Sequence, residues 1–387
     1  IAEFENLAGI VVSVGGQIAN NLAMNLFKAG FKILGTHPEK IHQAEDRALF
    51  SQMLNDLNID QPAWTAVTNL DQAQLFAQKI GFPVLIRPSY VLSGSAMNVV
   101  RSEAELSDYL KAAVKISPDH PVVLSQFILD AKELEIDGVA EKGHVCLYAI
   151  AEHIENAGVH SGDATLVLPP QKLYLETIRR AKQVTKKIIK ALEISGPFNI
   201  QLIAKNNDLK VIECNVRAAR SFPFVSKVTG INFIEVATKI LLGCYERQHY
   251  NTLDLDYVGV KAPQFSYSRL KGANPVAHVE MASTGEVACL GDNLDEAFYL
   301  AMQASETVVK GKRVFVSIGD EKKAKLLPYL KILFDQGWEF ICTYGTHEYL
   351  KLNQINSVCV FKAHDSGKTP NTSSVIINRQ VDLIINI

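Results

Sequence analysis

The chain contains 387 residues, of which 48% are hydrophobic and 21% are charged, and its formal net charge is −2. This length suits two or three domains and this composition suits a globular protein, while the balanced charge provides no basic surplus for nucleic acid. No apolar run reaches the roughly 18 residues of a membrane span.

Six cysteines are scattered without CxxC spacing. They predict reduced thiols in an intracellular compartment rather than a disulfide framework or a zinc site. The first residues do not have the pattern of a signal peptide. Because the chain begins on Ile1 rather than methionine and ends on the apolar stretch VDLIINI, we expect a fragment of a longer protein.

The first elements predict the start of a doubly wound α/β domain. Gly9–Val14 is a buried strand, Ile18–Ala29 is a helix and Phe31–Leu34 is the next strand. The glycine turn before the helix could hold an anion, but it lacks the full GxGxxG pattern, so a plain tight turn is the preferred interpretation. Arg47 opens a further helix, where a solvated charge is the simplest interpretation.

A second group of elements contains a loop of small residues. Asp71–Ile80 is an amphipathic helix that Gly81 ends, and Pro83–Arg87 is a strand. The loop Pro88–Met97 carries Ser93, Gly94, Ser95 and Ala96, which would let the backbone approach phosphates closely. Arg87 would reach the same phosphates, although such loops are common and the signal is weak by itself.

An acidic strand and a polar loop come next. Glu133, Glu135 and Asp137 alternate with apolar residues, which predicts a strand with one acidic face. For Glu135 and Asp137 we expect a solvated face. The loop His153–Asp163 contains His160, and a lone histidine is more often structural than catalytic.

The most informative stretch is a hairpin. Phe198–Ala204 and Leu209–Cys214 are β-prone, and Asn206–Asp208 are turn residues. This turn pairs Lys205 with Leu209 and, further along, Gln201 with Glu213.

The predicted pairing brings polar side chains to one face. Cross-strand partners share a face, so Gln201, Glu213 and Asn215 form a cluster of oxygen donors that suits Mg²⁺ or Mn²⁺. Arg217 and Arg220 follow and would bind phosphate oxygens. An ordinary hairpin with an exposed polar end is the alternative.

A second α/β unit of about 80 residues begins near residue 306. A helical stretch at 221–242 and strands at 257–265 and 276–281 precede it. Its own elements are strands at 314–318, 338–343, 358–361 and 381–385 and a helix at 322–336. Polar side chains at or near its strand ends predict an anion pocket, with solvated lysines as an equal alternative: Lys322, Lys323, Thr343, Thr346 and Lys362.

Four blocks carry a family resemblance over essentially the whole chain: RPSYVLSGSAM (87–97), ENAGVHSGDATL (155–166), GPFNIQLIAK (196–205) and IECNVRAARSFPFVSK (212–227). They resemble the large chain of carbamoyl-phosphate synthetase. SFPFVSK and the small α/β unit resemble its C-terminal, carbamate-phosphorylating half. ICTYGT with KAHD is similar to the methylglyoxal-synthase-like allosteric domain, and ECNVR, where bacterial members have EVNPR, resembles the eukaryotic branch.

The resemblance implies an α/β and α+β architecture. A partial doubly wound pre-ATP-grasp domain (1–48) would precede an ATP-grasp nucleotide and metal domain (49–245) with its completion and linker (246–305). A C-terminally incomplete methylglyoxal-synthase-like domain (306–387) would follow.

The resemblance also implies an activity and its surroundings. The activity would be ATP-dependent phosphorylation of carbamate, feeding pyrimidine or arginine and urea biosynthesis, with ATP and two Mg²⁺ or Mn²⁺ ions. The partners would be an N-terminal synthetase half, a glutaminase subunit or domain, a nucleotide effector and further copies in an oligomer, without nucleic acid or membrane. The compartment would be the cytoplasm or the mitochondrial matrix.

The resemblance also implies site residues, matched to the family residue by residue. Those for the nucleotide are Arg47, Arg87, Gln126, Ile128, Glu133, Gly158, Val159, His160 and Ser161. Those for the metal are Gln201, Glu213 and Asn215, those for carbamate and phosphoryl oxygens are Arg217, Arg220 and Arg87, and those for the effector are Lys323, Thr343, Thr346 and Lys362. Two rival interpretations are another ATP-grasp carboxylate kinase of the biotin carboxylase type and a non-catalytic nucleotide-binding or regulatory module.

Overall fold

A computed structural model describes residues 7–87, 97–116, 122–266, 281–365 and 367–387. The chain divides into two compact units, 1–305 and 306–387. The predicted small-residue loop before Met97 and most of the predicted strand at 276–281 lie outside the described residues.

The first unit begins with a short parallel pair of strands among helices. These elements are β1 (Ile10–Val11), α1 (Gly16–Asn21), α2 (Ala23–Lys28), β2 (Ile33–Leu34), α3 (Pro38–Glu45) and α4 (Arg47–Asp56). Gly15 and Gly16 turn the chain into α1 at φ 99° and 72°, a region that glycine adopts most readily. The single helix predicted for Ile18–Ala29 is divided into α1 and α2, because asparagine is a weak helix former and the Asn20 side chain bonds to Glu45 instead.

A small antiparallel sheet follows. Its elements are β3 (Trp64–Val67), α5 (Leu70–Ile80), β4 (Val84–Arg87), β5 (Asn98–Val100), α6 (Glu103–Ile116) and β6 (Val122–Gln126). The strand order is β3-β6-β4-β5. α5 ends at Gly81 as predicted, and α5 and α6 cover one apolar face of the sheet. The opposite face is left for the cavity described below.

A larger antiparallel sheet forms the centre of the unit. Its elements are β7 (Lys132–Glu141), β8 (His144–Asn156), β9 (Leu166–Leu168), α7 (Leu175–Ala191), β10 (Gly196–Lys205), β11 (Asp208–Asn215), α8 (Phe222–Thr229), α9 (Phe233–Leu241), β12 (Val258–Gln264), β13 (Gly285–Gly291) and α10 (Leu294–Ala304). The strand order is β11-β10-β7-β8-β9-β12-β13. Helices α3, α4 and α7 bury one face, and α8 and α9 bury part of the other.

The acidic face of β7 is not solvated, and the prediction for Glu135 and Asp137 is wrong. The two residues are 2% and 1% exposed. Their cross-strand neighbours Ala151 and Ala149 belong to the core that α8 and α9 cover. β8 also extends to Asn156, so His153, which was predicted in a loop, is a buried strand residue.

The β10–β11 hairpin turns over two residues. Asn206 and Asn207 have φ of 51° and 68°, as a type I′ turn requires. Because this turn is one residue shorter than predicted, Lys205 pairs with Asp208 and the predicted pairing with Leu209 is wrong.

A β-bulge nevertheless restores the predicted pairing at the polar end of the hairpin. The register shifts between Gln201 and Leu202, so that Ile212 is the extra residue on β11. Beyond the bulge, Gln201 faces Glu213 as predicted. Such bulges often redirect side chains beside functional sites.

The second unit is a parallel four-stranded sheet. Its elements are β14 (Arg313–Ser317), α11 (Asp320–Asp335), β15 (Glu339–Thr343), α12 (Tyr344–Leu352), β16 (Ser357–Val360), α13 (Thr372–Ile377) and β17 (Leu383–Asn386). The strand order is β16-β15-β14-β17. α11 and α12 bury one face, and α13 packs on the other. The predicted strands and first helix are confirmed, whereas α12 and α13 were not predicted.

Among the helices of the described ranges, none combines the length and apolar character needed to cross a membrane.

Candidate nucleotide and metal site

A cavity of about 400 Å³ lies in the first unit between the small and large sheets. Its wall contains every residue that the sequence predicted for nucleotide, metal and phosphoryl binding. The small sheet contributes one face and the hairpin β10–β11 contributes the other. Segments more than 150 residues apart, such as those of Arg47 and Glu213, meet here.

Glu213 is the central anion of the cavity. Arg47 Nη2 donates to its Oε2 at 3.1 Å, and Asn215 Nδ2 donates to its Oε1 at 3.1 Å. Burial by itself would raise the pKa of Glu213, but the charges of Arg47 and Arg87 and these hydrogen bonds outweigh burial and hold the pKa at about 2. The carboxylate is therefore charged at neutral pH.

Hydrogen bonds continue from Glu213 into the first elements of the chain. Arg217 donates from Nη2 to Asn215 Oδ1 at 3.0 Å and from Nε to Gln17 Oε1 at 3.2 Å. Gln17 in turn donates to Glu45, whose pKa is raised mainly by burial. The glycine turn that begins α1 thus positions an arginine of the site, a role that the sequence did not reveal.

The donors beside Glu213 fit a hard divalent cation. Gln201 lies opposite Glu213, and its amide nitrogen donates to Ser161 Oγ at 3.0 Å. Within the described ranges, no group of three or more histidine, cysteine or acidic side chains forms a metal cluster. One carboxylate with the amides of Gln201 and Asn215 suits Mg²⁺ or Mn²⁺, which complete their shells with water and phosphate oxygens, and does not suit zinc.

Two further arginines are placed to bind anions. Arg87, at the end of β4, is 8% exposed, and its Nε has no hydrogen-bond partner in the described part of the chain. Burial, assisted by the nearby charge of Arg47, lowers the pKa of Arg87 to about 9. Arg220 Nη1 contacts Met281 Sδ at 2.8 Å and Ser283 Oγ at 3.3 Å.

Two buried carboxylates on β7, those of Glu133 and Glu135, are joined by the histidine His153. His153 Nε2 is 3.0 Å from Glu135 Oε1, and its Nδ1 is 4.0 Å from Glu133 Oε2. Burial raises the pKa of Glu133 to about 7. Burial alone would lower the pKa of His153, but the two carboxylates outweigh it and raise that pKa.

Asn199 links this pair to a third acid. Its Nδ2 donates to Glu135 Oε2 at 3.2 Å and to Asp137 Oδ1 at 2.9 Å. Burial and the charge of Glu135 raise the pKa of Asp137. Lys261, also buried, has its Nζ 3.6 Å from Glu286 Oε2.

Among these buried residues Glu133 had been predicted as a site residue, whereas Asn199 and Lys261 were missed, although a signal in the sequence pointed to each of them. Asn199 stands two residues before Gln201, on the same face of a strand. Lys261 is a lone charge in the apolar strand VGVKAPQ.

The loop after β8 closes one side of the cavity. Gly158 has φ 117° and lies so near the Phe127 ring that a Cβ would come within 2.7 Å of it, so only glycine fits. His160 Nδ1 accepts from the Gly162 N–H at 3.0 Å, and burial lowers the pKa of His160. Val159 and Ser161 line the same wall.

The predicted adenine positions lie at the end of β6. The Gln126 N–H donates to the Ala63 carbonyl at 2.8 Å, which fixes this segment against β3. Gln126 and Ile128 both border the cavity.

In the second unit, the predicted anion-binding residues gather at the carboxyl edge of the sheet. Lys323 is 8% exposed, and its Nζ donates to Asp320 Oδ1 at 2.6 Å and to the Gly345 carbonyl at 2.7 Å. Thr343 Oγ1 donates to Ser317 Oγ at 3.2 Å.

The other two predicted effector residues differ in burial. Thr346 Oγ1 is buried and accepts from the Ile318 N–H at 3.1 Å. Lys362 is exposed and follows β16 at the same edge.

Family models match three successive stretches of the chain. Residues 1–43 match the carbamoyl phosphate synthase preATP-grasp domain, 46–248 match the carbamoyl-phosphate synthase L chain, ATP binding domain, and 325–387 match the MGS-like domain. These matches confirm the predicted ATP-grasp fold with its preceding and following domains.

Curated relatives match over nearly the whole chain. Multifunctional protein ura1 of Schizosaccharomyces pombe is 50% identical, with 100% of this chain and 17% of the relative covered. The mitochondrial carbamoyl-phosphate synthase [ammonia] of Homo sapiens is 46% identical, with 99% of this chain and 26% of the relative covered. The chain therefore spans between about a sixth and a quarter of these relatives.

Solved structures share the fold at low identity. Biotin carboxylase from Campylobacter jejuni, in its β-γ-ATP complex, has a TM-score of 0.60 at 17% identity, covering 73% of this chain and 71% of that one. Carboxyaminoimidazole ribonucleotide synthase from Aspergillus clavatus, complexed with ATP, has a TM-score of 0.60 at 13% identity, covering 74% and 78%.

Proposed function

The chain belongs to the carbamoyl-phosphate synthase large-chain family, and from that membership we propose that it catalyses the ATP-dependent phosphorylation of carbamate to carbamoyl phosphate. This step is the second phosphorylation of carbamoyl-phosphate synthesis. Its product would feed pyrimidine or arginine and urea biosynthesis.

The observation that supports this proposal most strongly is the meeting of cations around Glu213. The carbamate oxygen must attack the γ-phosphorus of ATP, so an anion approaches an anion. Two unit charges 4 Å apart repel by about 4 kcal/mol at an effective dielectric of 20. Arg47, Arg87 and Arg217 border the cavity where this approach would occur, and preorganised positive charge of this kind offsets the repulsion.

A divalent cation fits beside the same residues. Glu213, Gln201 and Asn215 would hold Mg²⁺ or Mn²⁺, and we propose two ions. Such an ion, when bound, neutralises charge on the transferring phosphoryl group. The low pKa of Glu213 keeps its carboxylate ready for that role without a proton to displace.

The remaining residues would position the two substrates. Gln126, Ile128 and Glu133 would hold the nucleoside, and residues 158–161 would close over the phosphates. Arg217 and Arg220 would hold carbamate and phosphoryl oxygens. Because carbamate is itself the nucleophile, the reaction requires no protein nucleophile and no proton abstraction.

The second unit would bind a small-molecule effector, and we propose a nucleotide. Lys323, Thr343, Thr346 and Lys362 would hold its phosphate. We also propose an N-terminal synthetase half and a glutaminase as partners, and the cytoplasm or the mitochondrial matrix as the compartment. One relative is named a multifunctional protein and another a mitochondrial enzyme, which supports further domains and the second compartment. We also propose an oligomer.

The reverse reaction tests the proposal. The chain is incubated with Mg²⁺, ADP and carbamoyl phosphate, and ATP formation is followed with a luciferase readout. We expect ATP formation and, in Glu213→Gln, a loss of at least about 100-fold, since one preorganised electrostatic group contributes 10²–10³ in kcat.

Three other outcomes would contradict the proposal. ADP binding without ATP formation favours the non-catalytic module. Biotin-dependent ATP hydrolysis favours a biotin carboxylase type of activity. Full activity in Glu213→Gln removes the metal assignment.

A further inference from the structure

The cavity face of the small sheet carries residues that the function above does not use. Trp64 pairs with Ser125 across β3 and β6, and Ser125 pairs with Leu85 across β6 and β4. Arg87 pairs with Val123 in the same sheet. Cross-strand partners share a face, and all five residues border the cavity.

The opposite face of this sheet fixes which side chains point toward the cavity. Val84, Ile86 and Leu124 alternate with the cavity residues and are buried against α5 and α6. A shift of register by one residue would bring these apolar side chains into the cavity. Trp64 and Ser125 are therefore held toward the cavity.

Ser125 is a buried polar group without a partner. The residue is 5% exposed, and its Oγ makes no hydrogen bond in the described part of the chain. Buried hydroxyls in native proteins are nearly always bonded. An unbonded hydroxyl that borders a cavity indicates a ligand that supplies the missing hydrogen bond.

Trp64 places a large flat ring beside this hydroxyl. It is half-buried, and the hydrogen bond from the Gln126 N–H to the Ala63 carbonyl holds its strand against the end of β6. An indole packs well on planar heterocycles, because stacking needs only the face of the base. The indole and the hydroxyl thus match the face and the edge of one planar ligand.

We propose that Trp64 and Ser125 form the base-binding part of the nucleotide site, with the indole packed against the purine ring and the Ser125 hydroxyl bonded to its edge. This inference rests on the proposed function, in which ATP is a substrate. A hydroxyl both donates and accepts hydrogen bonds, so Ser125 bonds equally well to an amino or a keto group of the purine. Arg87, on the same face, then lies toward the phosphates.

The inference is tested by calorimetry, which measures the affinity of the full chain for two ligands in the presence of Mg²⁺. ADP carries a base, and inorganic tripolyphosphate does not. For Trp64→Leu we expect ADP to bind about 10- to 100-fold more weakly, the effect typical of losing one base stack, while tripolyphosphate affinity stays unchanged. Trp64→Phe keeps most of the ADP affinity, and Ser125→Ala weakens ADP several-fold.

Fluorescence supplies a readout that needs no change at the site. The chain has two tryptophans, Trp64 and Trp338, so Trp338→Phe leaves Trp64 as the sole reporter. ADP should change its emission and tripolyphosphate should not. The same Trp338→Phe variant is the matched control for binding.

Each contrary outcome is separately visible. Equal weakening of ADP and tripolyphosphate in Trp64→Leu indicates a structural role and overturns the inference. So do unchanged ADP affinity and unchanged Trp64 emission in a chain that binds ADP. If the unaltered chain binds no ADP, the proposed function fails together with this inference. Should Trp64→Leu not fold, Trp64→Phe, Ser125→Ala and the emission experiment decide.

Discussion

The two candidate sites of this chain handle charge in opposite ways. In the first unit, Glu133, Glu135 and Asp137 are buried together, and the pKa values of all three are displaced. In the second unit, Lys323 is buried, but the side chain of its partner Asp320 is 97% exposed. The first arrangement suits a catalytic site, because electrostatic interactions are stronger where water is excluded. The second suits recognition of a ligand that arrives with its own charge.

The largest expected effect removes the cation that joins the buried acids. In His153→Leu, Glu135 and Glu133 lose their shared partner, and breaking a buried ion pair costs about 3–5 kcal/mol. Urea unfolding followed by Trp64 emission in a Trp338→Phe background should show this loss in the first unit. Trp338 emission, read in a Trp64→Phe background, should show the second unit unchanged.

A matched histidine sharpens this result. His347 hydrogen-bonds to Ser357 Oγ at 2.8 Å and lies 3.8 Å from Glu348 Oε1, but it is only partly buried. His347→Leu should therefore cost about 1 kcal/mol, the net value of an ordinary hydrogen bond. Similar costs for the two histidines would remove the contrast between the units.

These buried acids also mark the limit of what the sequence could predict. The alternation at 133–137 correctly indicated a strand with one polar face, but period-two alternation cannot tell solvent from a polar cavity. What covers that face, α8 and α9, comes from a distant part of the chain. The same limit explains why His153 and Asn199 were not predicted as site residues.

The hairpin shows the opposite case. Its strands and the facing of Gln201 and Glu213 were predicted from local residues alone, and the structure confirms them. The predicted turn was one residue too long. The bulge, which was not predicted, shifts the register by one residue and so restores the predicted pairing of Gln201 with Glu213. Local composition predicts turns better than bulges, because a bulge depends on what the strand packs against.

A smaller effect concerns pH. The folded pKa of Glu133 is about 7 and its ordinary value is 4.5, so the folded chain holds a proton that the unfolded chain releases. The stability of the first unit should therefore fall as pH rises from about 4.5 to 7, with a slope of at most about 1.4 kcal/mol per pH unit from this group. Glu133→Gln should reduce the slope measured by urea unfolding at pH 5 and 6.

Glu213→Gln is the matched control for this pH effect. The pKa of Glu213 is lowered to about 2, so its contribution to stability is fully present above its ordinary value and disappears only as pH falls from about 4.5 to 2. The charge of Glu213 is a smaller cause of the raised pKa of Glu133 than burial is, so its replacement should leave most of the slope between pH 5 and 6 in place. An unchanged slope in Glu133→Gln would instead mean that Glu133 is not protonated in the folded chain.

The smallest expected effect lies in the second unit. Lys323→Met removes the buried cation at the strand edge, and its exposed partner Asp320 simply returns to solvent, so stability should change little. Binding of a nucleoside monophosphate should weaken about tenfold, the value of one hydrogen bond to a charged group. Calorimetry with UMP and inorganic phosphate measures this change, and the exposed neighbour Lys322→Met is the control. Equal losses of affinity in the two variants would mean that general positive charge, and not the position of Lys323, attracts the ligand. The contrast between the two units would then rest on the first unit alone.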